Sequence, residues 1–285
     1  MKFAKAQGLG NDFILVAAAD GPAGDQPGWS RRICDRHAGV GGDGVILYRP
    51  AADGVAMRLF NADGSEAEIS GNGLRCLAAF AVARGLAPVA HVVHTAAGPR
   101  PVVVEDRGLG RFRIATDMGE PILRSDLIPV ALDPPQSRVI DHPLLAAGRE
   151  VRLTATSLGN PHCAVFGESR PTDETFAMLG PALEHHPFFP NRTNVEFVTV
   201  RGRGEIEVRF WERGVGPTLA SGTGAASAAV ASILTGRVER KVRVVCDGGS
   251  LEVEWPEGGH VHQVGEVELV FEGEWRAGVP AAGVS

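Results

Sequence analysis

A chain of 285 residues with 44% hydrophobic side chains is long enough for two domains with real cores and too apolar to be disordered. Its net charge of -6 argues against nucleic acid as a partner. Its few lysines, Lys2, Lys5 and Lys241, fall in none of the loops singled out below, which leaves a pyridoxal-phosphate enzyme without its Schiff-base residue.

Met1 to Ala19 reads as two strands joined by the Leu9-Gly10-Asn11-Asp12 turn, and Pro27 to Arg36 as a short helix. His37 to Gly44 is a glycine-rich loop without the Lys-Ser/Thr ending of a P-loop, and we read it as a hinge or cleft wall. Strands at Val45–Tyr48 and Val55–Phe60 deliver Asn61, and a helix follows over Leu74–Arg84. Further strands are expected near Ala90–Thr95, Pro101–Glu105 and Arg111–Thr116. Residues 117 to 150 carry prolines at 121, 129, 134, 135 and 143 with little periodicity, and mark the best domain boundary. Beyond it come a strand over Val151–Leu158, the Gly159-Asn160-Pro161-His162 turn and a helix over Asp173–His185 capped by Thr172 or Asp173. A strand from Asn194 and another over Ile206–Trp211 lead to Glu212 and Arg213, and Lys241 to Trp275 alternates apolar and polar residues as antiparallel strands do.

Two stretches organise this order. Ser70-Gly71-Asn72-Gly73 and Ser221-Gly222-Thr223-Gly224 each open an apolar stretch of helical length that closes on a glycine. Glycines at such turns let backbone N–H groups converge, and the helix start adds partial positive charge, so two anion cradles are expected. Ser70 and Ser221, Asn61 and Glu212, and Asp43 and Asn194 are each 151 positions apart, and the Leu-Gly-Asn turns are 149 apart. Stations in one register point to two similar halves that share a cleft.

The stretch from Gly214 to Gly236 has no charged residue, but Pro217 and its glycines leave an apolar run well short of the roughly 20 residues that span a membrane. A helix apolar on all sides is then a buried one. The cysteines Cys34, Cys76, Cys163 and Cys246 lack C-x-x-C spacing, and the N-terminus has no basic run followed by an apolar segment, so a cytoplasmic protein without structural disulfides is expected. The pairs His91/His94, His185/His186 and His260/His262 have no cysteine or carboxylate at ligand spacing, so structural or surface roles are expected and no metal site. Asn11 alone would be turn chemistry, but its pairing with Asn160 favours a functional role, and His162 shares that turn. Adjacent Glu212 and Arg213 are most often an ordinary ion pair; beside an anion cradle they also fit a zwitterion, with the carboxylate at the helix starts and the ammonium at Glu212. That combination describes a free amino acid.

Together with Gly8 to Phe13, Asn61 to Glu66, Gly71-Asn72-Gly73-x-Arg75-Cys76, Gly159 to Cys163, Arg192-Thr193-Asn194 and Glu212-Arg213-Gly214-x-Gly216, these motifs resemble the diaminopimelate epimerase family along the whole chain. The resemblance implies an α/β (α+β) fold of two pseudo-symmetric domains, each wrapping strands around a central helix, with the active site in the cleft between them. The C-terminal strand would return to the first domain, giving residues 1–117 plus about 266–278 and residues 118–265. It implies a cofactor-independent epimerase, an isomerase whose two bases act on the α-carbon of diaminopimelate from opposite faces. It makes Asn11, Asn61, Asn160, Asn194, Glu212 and Arg213 substrate contacts, has Gly71, Asn72, Gly222 and Thr223 offer N–H groups to the α-carboxylate, and gives His162 and Asp43 supporting roles. Partners would be a small amino acid and no nucleic acid or membrane, with a homodimer left open.

The family has cysteine where this chain has Ser70 and Ser221. A thiol titrates near 8.5 and lower at a helix start, whereas a serine hydroxyl is a far weaker acid. Three readings follow: an epimerase weakened by a double Cys→Ser change, an epimerase-fold lyase or isomerase on another amino acid, and an amino-acid binder without turnover.

Overall fold

The computed structural model describes residues 1–276, so residues 277–278 of the expected first domain lie outside the described residues. The first half runs β1 (Lys2–Gly8), β2 (Asn11–Ala17), α1 (Gln26–Cys34), β3 (Gly44–Ala51), β4 (Gly54–Asn61), β5 (Glu66–Ala67), α2 (Gly71–Ala83), β6 (Ala90–Thr95), β7 (Gly98–Gly108) and β8 (Arg111–Asp117). The second runs β9 (Val139–Ala146), β10 (Arg149–Ser157), β11 (Pro161–Gly167), α3 (Asp173–Glu184), β12 (Asn194–Gly202), β13 (Glu205–Glu212), β14 (Gly216–Thr218), α4 (Gly222–Leu234), β15 (Lys241–Cys246), β16 (Gly249–Glu254) and β17 (His262–Glu274).

The same pairing scheme occurs twice. β2 and β3 are parallel, as are β11 and β12; β4 and β6 are parallel, as are β13 and β15. A parallel pair needs a long crossover, and α1, α2, α3 and α4 supply one each. β17 joins the halves, pairing with β16 near His262, with β8 up to Glu268 and with β1 from Glu268 to Glu274. Through it, β1, β2, β3, β4, β6, β7, β8 and β17 close a ring around α2.

Both central helices are buried on all sides over their first eleven residues, Gly71–Ala81 and Gly222–Ser232. The sides of α4 are mostly small residues, alanine foremost, which lets strands approach closely from every direction. Each helix ends the same way. Gly85 at φ 65° and Gly236 at φ 69° take the left-handed position that any side chain would strain. The next N–H, of Leu86 or Arg237, returns to Ala81 or Ser232. None of the helices is long and apolar enough to cross a membrane among the described residues.

The segment read as the domain boundary, residues 117 to 150, contains β9. It was concealed by Pro143, which pairs with Arg152 on a strand whose only ladder among the described residues is to β10; an edge position of that kind tolerates a missing N–H. The glycine-rich loop is tied down, with Gly39, Val40, Gly41 and Gly42 donating to carbonyls of residues 33 to 35, so it is fixed against the end of α1.

The starts of α2 and α4 meet head to head. A Cβ built on Gly71 would lie 2.8 Å from the Cα of Gly222, and one built on Gly222 would lie 2.6 Å from the Cα of Gly71. Backbone stands against backbone here, so no rotamer change can relieve a side chain. Gly222→Ala is expected to cost about 1–3 kcal/mol of unfolding free energy by overpacking, measured by urea titration. Gly202→Ala, where a Cβ meets nothing within 4 Å, is the control, and an equal loss in both would contradict the contact.

Candidate active site

A cleft of about 840 Å3 opens over this junction. Of the expected site residues, Asn11, Asp43, Asn61, Ser70, Asn160, Asn194, Glu212 and Arg213 line it. Ser221, Gly71, Asn72, Gly222, Thr223 and His162 do not; they are buried behind that lining. The two serines are therefore unequally placed, Ser70 facing the cleft and Ser221 covered at 5% exposure.

Each serine caps its helix. Ser70 and Ser221 take extended backbone at φ -130° and -133°, and their Oγ atoms accept from the Gly73 N–H at 3.1 Å and the Gly224 N–H at 3.2 Å. The paired positive ends of α2 and α4 thus face one another with both caps between helix and cleft. An anion is the natural occupant of such a junction, each helix end stabilising it by about 0.3–1 kcal/mol, more where water is excluded.

Matching positions in the two halves carry different side chains. In the first half, Asn11 Nδ2 donates to Asp43 Oδ2 at 2.6 Å, and Arg36 bridges Asp12 and Asp43 at 2.7 and 2.9 Å. Burial opposes ionisation of Asp12, but the hydrogen bonds and charges of Arg36 and Lys5 outweigh it and hold the carboxyl at about 2. In the second half, Asn160 Nδ2 reaches Thr223 Oγ1 at 3.4 Å, while His162 lies between Asn160 Oδ1 at 2.9 Å and Glu196 Oε1 at 2.7 Å. Burial raises the Glu196 carboxyl, with His162 pulling the other way. Asn194 is held by Pro161 O at 2.8 Å and accepts the Arg213 N–H at 2.9 Å.

β4 and β13 end on Asn61 and Glu212, which places an amide and a carboxylate at equivalent points. Asn61 Nδ2 donates to Ser65 Oγ at 3.0 Å, and Glu212 Oε1 accepts from Thr218 Oγ1 at 2.6 Å. Burial pushes the Glu212 carboxyl up, the Thr218 hydrogen bond being the main opposing effect. The ordinary reading of Glu212 with Arg213 as an ion pair fails: Arg213 Nη2 instead spans the cleft to Glu68 of the first half at 2.9 Å.

Arg36, Glu68, Arg192 and Thr218 also line the cleft and were not singled out as site residues from the sequence, although Arg192 sits inside a quoted motif. The four cysteines are buried and free, and burial pushes the Cys34 thiol up to about 11 and that of Cys76 to about 12, so none offers a thiolate in place of Ser70 or Ser221. The histidine pairs have structural partners: His91 contacts Pro88 O, His94 Asp53, His185 Pro181 O and His260 Asp117.

Comparison with known proteins agrees with this geometry. The family model described as diaminopimelate epimerase matches residues 3–123 and 154–270. The chain is 48% identical over 280 residues to the diaminopimelate epimerase of Desulforudis audaxviator, covering 96% of this chain and 99% of that protein. It is 43% identical over 283 residues to that of Synechocystis sp., covering 96% and 98%. Among solved structures, a hydroxyproline epimerase from Agrobacterium vitis with bound trans-4-hydroxy-L-proline has a TM-score of 0.69 at 15% identity, over 96% of this chain and 90% of that one. A phenazine biosynthesis protein of the PhzF family from Bacillus anthracis has a TM-score of 0.64 at 15% identity, over 97% and 99%. The structural likenesses speak for the fold, and the match along both halves of the sequence settles the relationship: the chain belongs to the diaminopimelate epimerase family.

Proposed function

We propose that the chain is an amino-acid epimerase that interconverts LL- and meso-diaminopimelate, without pyridoxal phosphate, by proton transfer at the α-carbon. One observation carries the reading: two capped helix starts meet at Gly71 and Gly222, with Ser70 and Ser221 one residue ahead of that contact. The α-carboxylate binds to the N–H groups of Gly71, Asn72, Gly222 and Thr223. Asn11, Asn61, Asn160, Asn194, Glu212 and Arg213 hold the remainder of the substrate, Glu212 taking an ammonium, while Asp43 and His162 orient Asn11 and Asn160 through the hydrogen bonds described above.

The chemistry follows from that placement. Removing the α-proton leaves the electron pair delocalised into the carboxylate, so negative charge grows where the two helix ends already point. The base on one face takes the proton, and the acid on the other returns one, which inverts the centre. Residues 70 and 221 are the pair that fits these roles. The amide N–H that each Oγ accepts would stabilise the deprotonated atom, but each pKa unit is about 1.4 kcal/mol and a hydroxyl starts far above a thiol. Serine at both positions therefore supports binding with slow proton transfer.

We also read residues 1–117 with the end of β17 as one domain and residues 118–265 as the other, related as an internal repeat. Lysine and peptidoglycan precursor synthesis in the cytoplasm is the setting this activity implies.

Two tests follow. Incubation with LL- or meso-diaminopimelate in deuterated water, read by mass spectrometry, is expected to show slow α-deuterium incorporation that rises on the order of a thousandfold or more in Ser70→Cys/Ser221→Cys, as a base several pKa units closer to neutrality allows. No incorporation in either form would sink the reading. The second concerns acidity. Ammonium binding needs the Glu212 carboxylate, whose pKa lies above the usual carboxylate range, so affinity is full above that raised value and is lost as pH falls through it. Calorimetry across acid pH is expected to show the loss beginning before ordinary carboxylates protonate, with Glu212→Gln already weak at neutral pH.

A further inference from the structure

Arg75 stands in the second turn of α2 and is wholly buried at 0% exposure. Its Nη1 donates to Gln263 Oε1 at 2.5 Å, its Nη2 donates to Asn72 Oδ1, and its Nε has no partner. Among the described residues no carboxylate pairs with it, and the titratable groups that act on it are the thiols of Cys76 and Cys246. Burial lowers the guanidinium only to about 10, so it is charged at neutral pH. A buried cation with no counter-ion is costly, typically several kcal/mol after relaxation.

Its two partners lead to the two helix starts. Asn72 is the second residue of α2, and its Nδ2 also reaches Asn11 Oδ1 at 3.2 Å and Ala220 O of the other half at 3.4 Å. Gln263 comes from β17 and donates through Nε2 to the carbonyl of Gly222, the first residue of α4, at 2.7 Å. The guanidinium packs against the bare backbone of Gly265, where a Cβ would lie 2.8 Å from Arg75 Nε. One charge thus spans the junction from behind, while the cleft lies in front of it.

We infer that Arg75 is a positioning residue for the substrate: tied through Asn72 and Gln263 to both helix starts, its guanidinium aligns them and supplies the fixed positive charge that the bound α-carboxylate balances. The inference rests on the carboxylate reading given under Proposed function. It explains why the charge has no protein counter-ion, since an internal carboxylate would compete with the ligand for it. It also makes selectivity for an anionic group a property of the whole junction and not of the N–H groups alone.

The test is calorimetric titration of meso-diaminopimelate into the full chain and its variants. Gln263→Glu sets a carboxylate against the guanidinium and loses the donation to Gly222 O, whereas Gln263→Met loses that donation and the acceptor for Arg75 without adding charge. Gln263→Glu is expected to lose on the order of tenfold in affinity beyond Gln263→Met, the scale of a unit charge acting across roughly 10 Å at intermediate dielectric. Both are expected to retain cooperative thermal unfolding, and Arg75→Lys is expected to bind better than Arg75→Met. Equal affinities for the glutamate and methionine variants would overturn the inference while leaving the carboxylate reading intact. Absence of binding by the unaltered chain would remove that reading and this inference together. If the Arg75 variants do not fold, the two Gln263 variants decide alone.

Discussion

Two positively polarised helix ends pressed together at a pair of glycines are the constraint on which the rest of the molecule depends. Left to themselves, the ends repel, and the backbone contact between Gly71 and Gly222 leaves no space to separate them with side chains. The fold holds them by brute enclosure: each helix is surrounded by strands, capped by a serine at one end and closed by a left-handed glycine at the other. Cross-links between the halves, through β17, the Asn72 contact with Ala220 and the Arg75 contact with Gln263, fix their approach. Such an arrangement is stable only if the surrounding structure determines it, and it becomes useful when an anion occupies it.

Much of this was legible in the chain because it is written in local chemistry. The Ser-Gly-x-Gly turns, the terminal glycines and the common spacing between stations placed both central helices to within a few residues and paired Asn61 with Glu212 before any coordinates. The limits of α2 moved from Leu74–Arg84 to Gly71–Ala83 because the cap is Ser70, four residues earlier than the first apolar side chain. What stayed hidden depends on contacts distant in sequence. Glu68 meets Arg213 only after the halves close, and Arg75 acquires its meaning only when Gln263, 188 positions away, arrives against it. β9 was masked for another reason: a proline that would break a central strand is harmless at an edge.

The halves share a backbone plan but not a chemistry. Asn61 ends one strand and Glu212 its counterpart; His162 and Glu196 form a buried pair on one side, while an exposed Arg36 gathers Asp12 and Asp43 on the other. A symmetric frame with unlike side chains suits a ligand whose reacting centre is approached from both sides while its far end is held in one orientation. The same frame makes the hydroxyls at 70 and 221 conspicuous. The proposed proton transfer rests on them, yet they serve visibly as helix caps, and no buried cysteine elsewhere can substitute. On the proposed reading, architecture and reactivity separate in this chain, the first preserved and the second reduced.

The most direct measurement is a crystal structure of the chain with meso-diaminopimelate bound. The account predicts the α-carboxylate seated at the helix junction, its oxygens about 3 Å from N–H groups of both α2 and α4, with the α-carbon between the Ser70 and Ser221 oxygens. A ligand whose carboxylate lies away from the junction, or whose α-carbon has both hydroxyls on the same face, would contradict it.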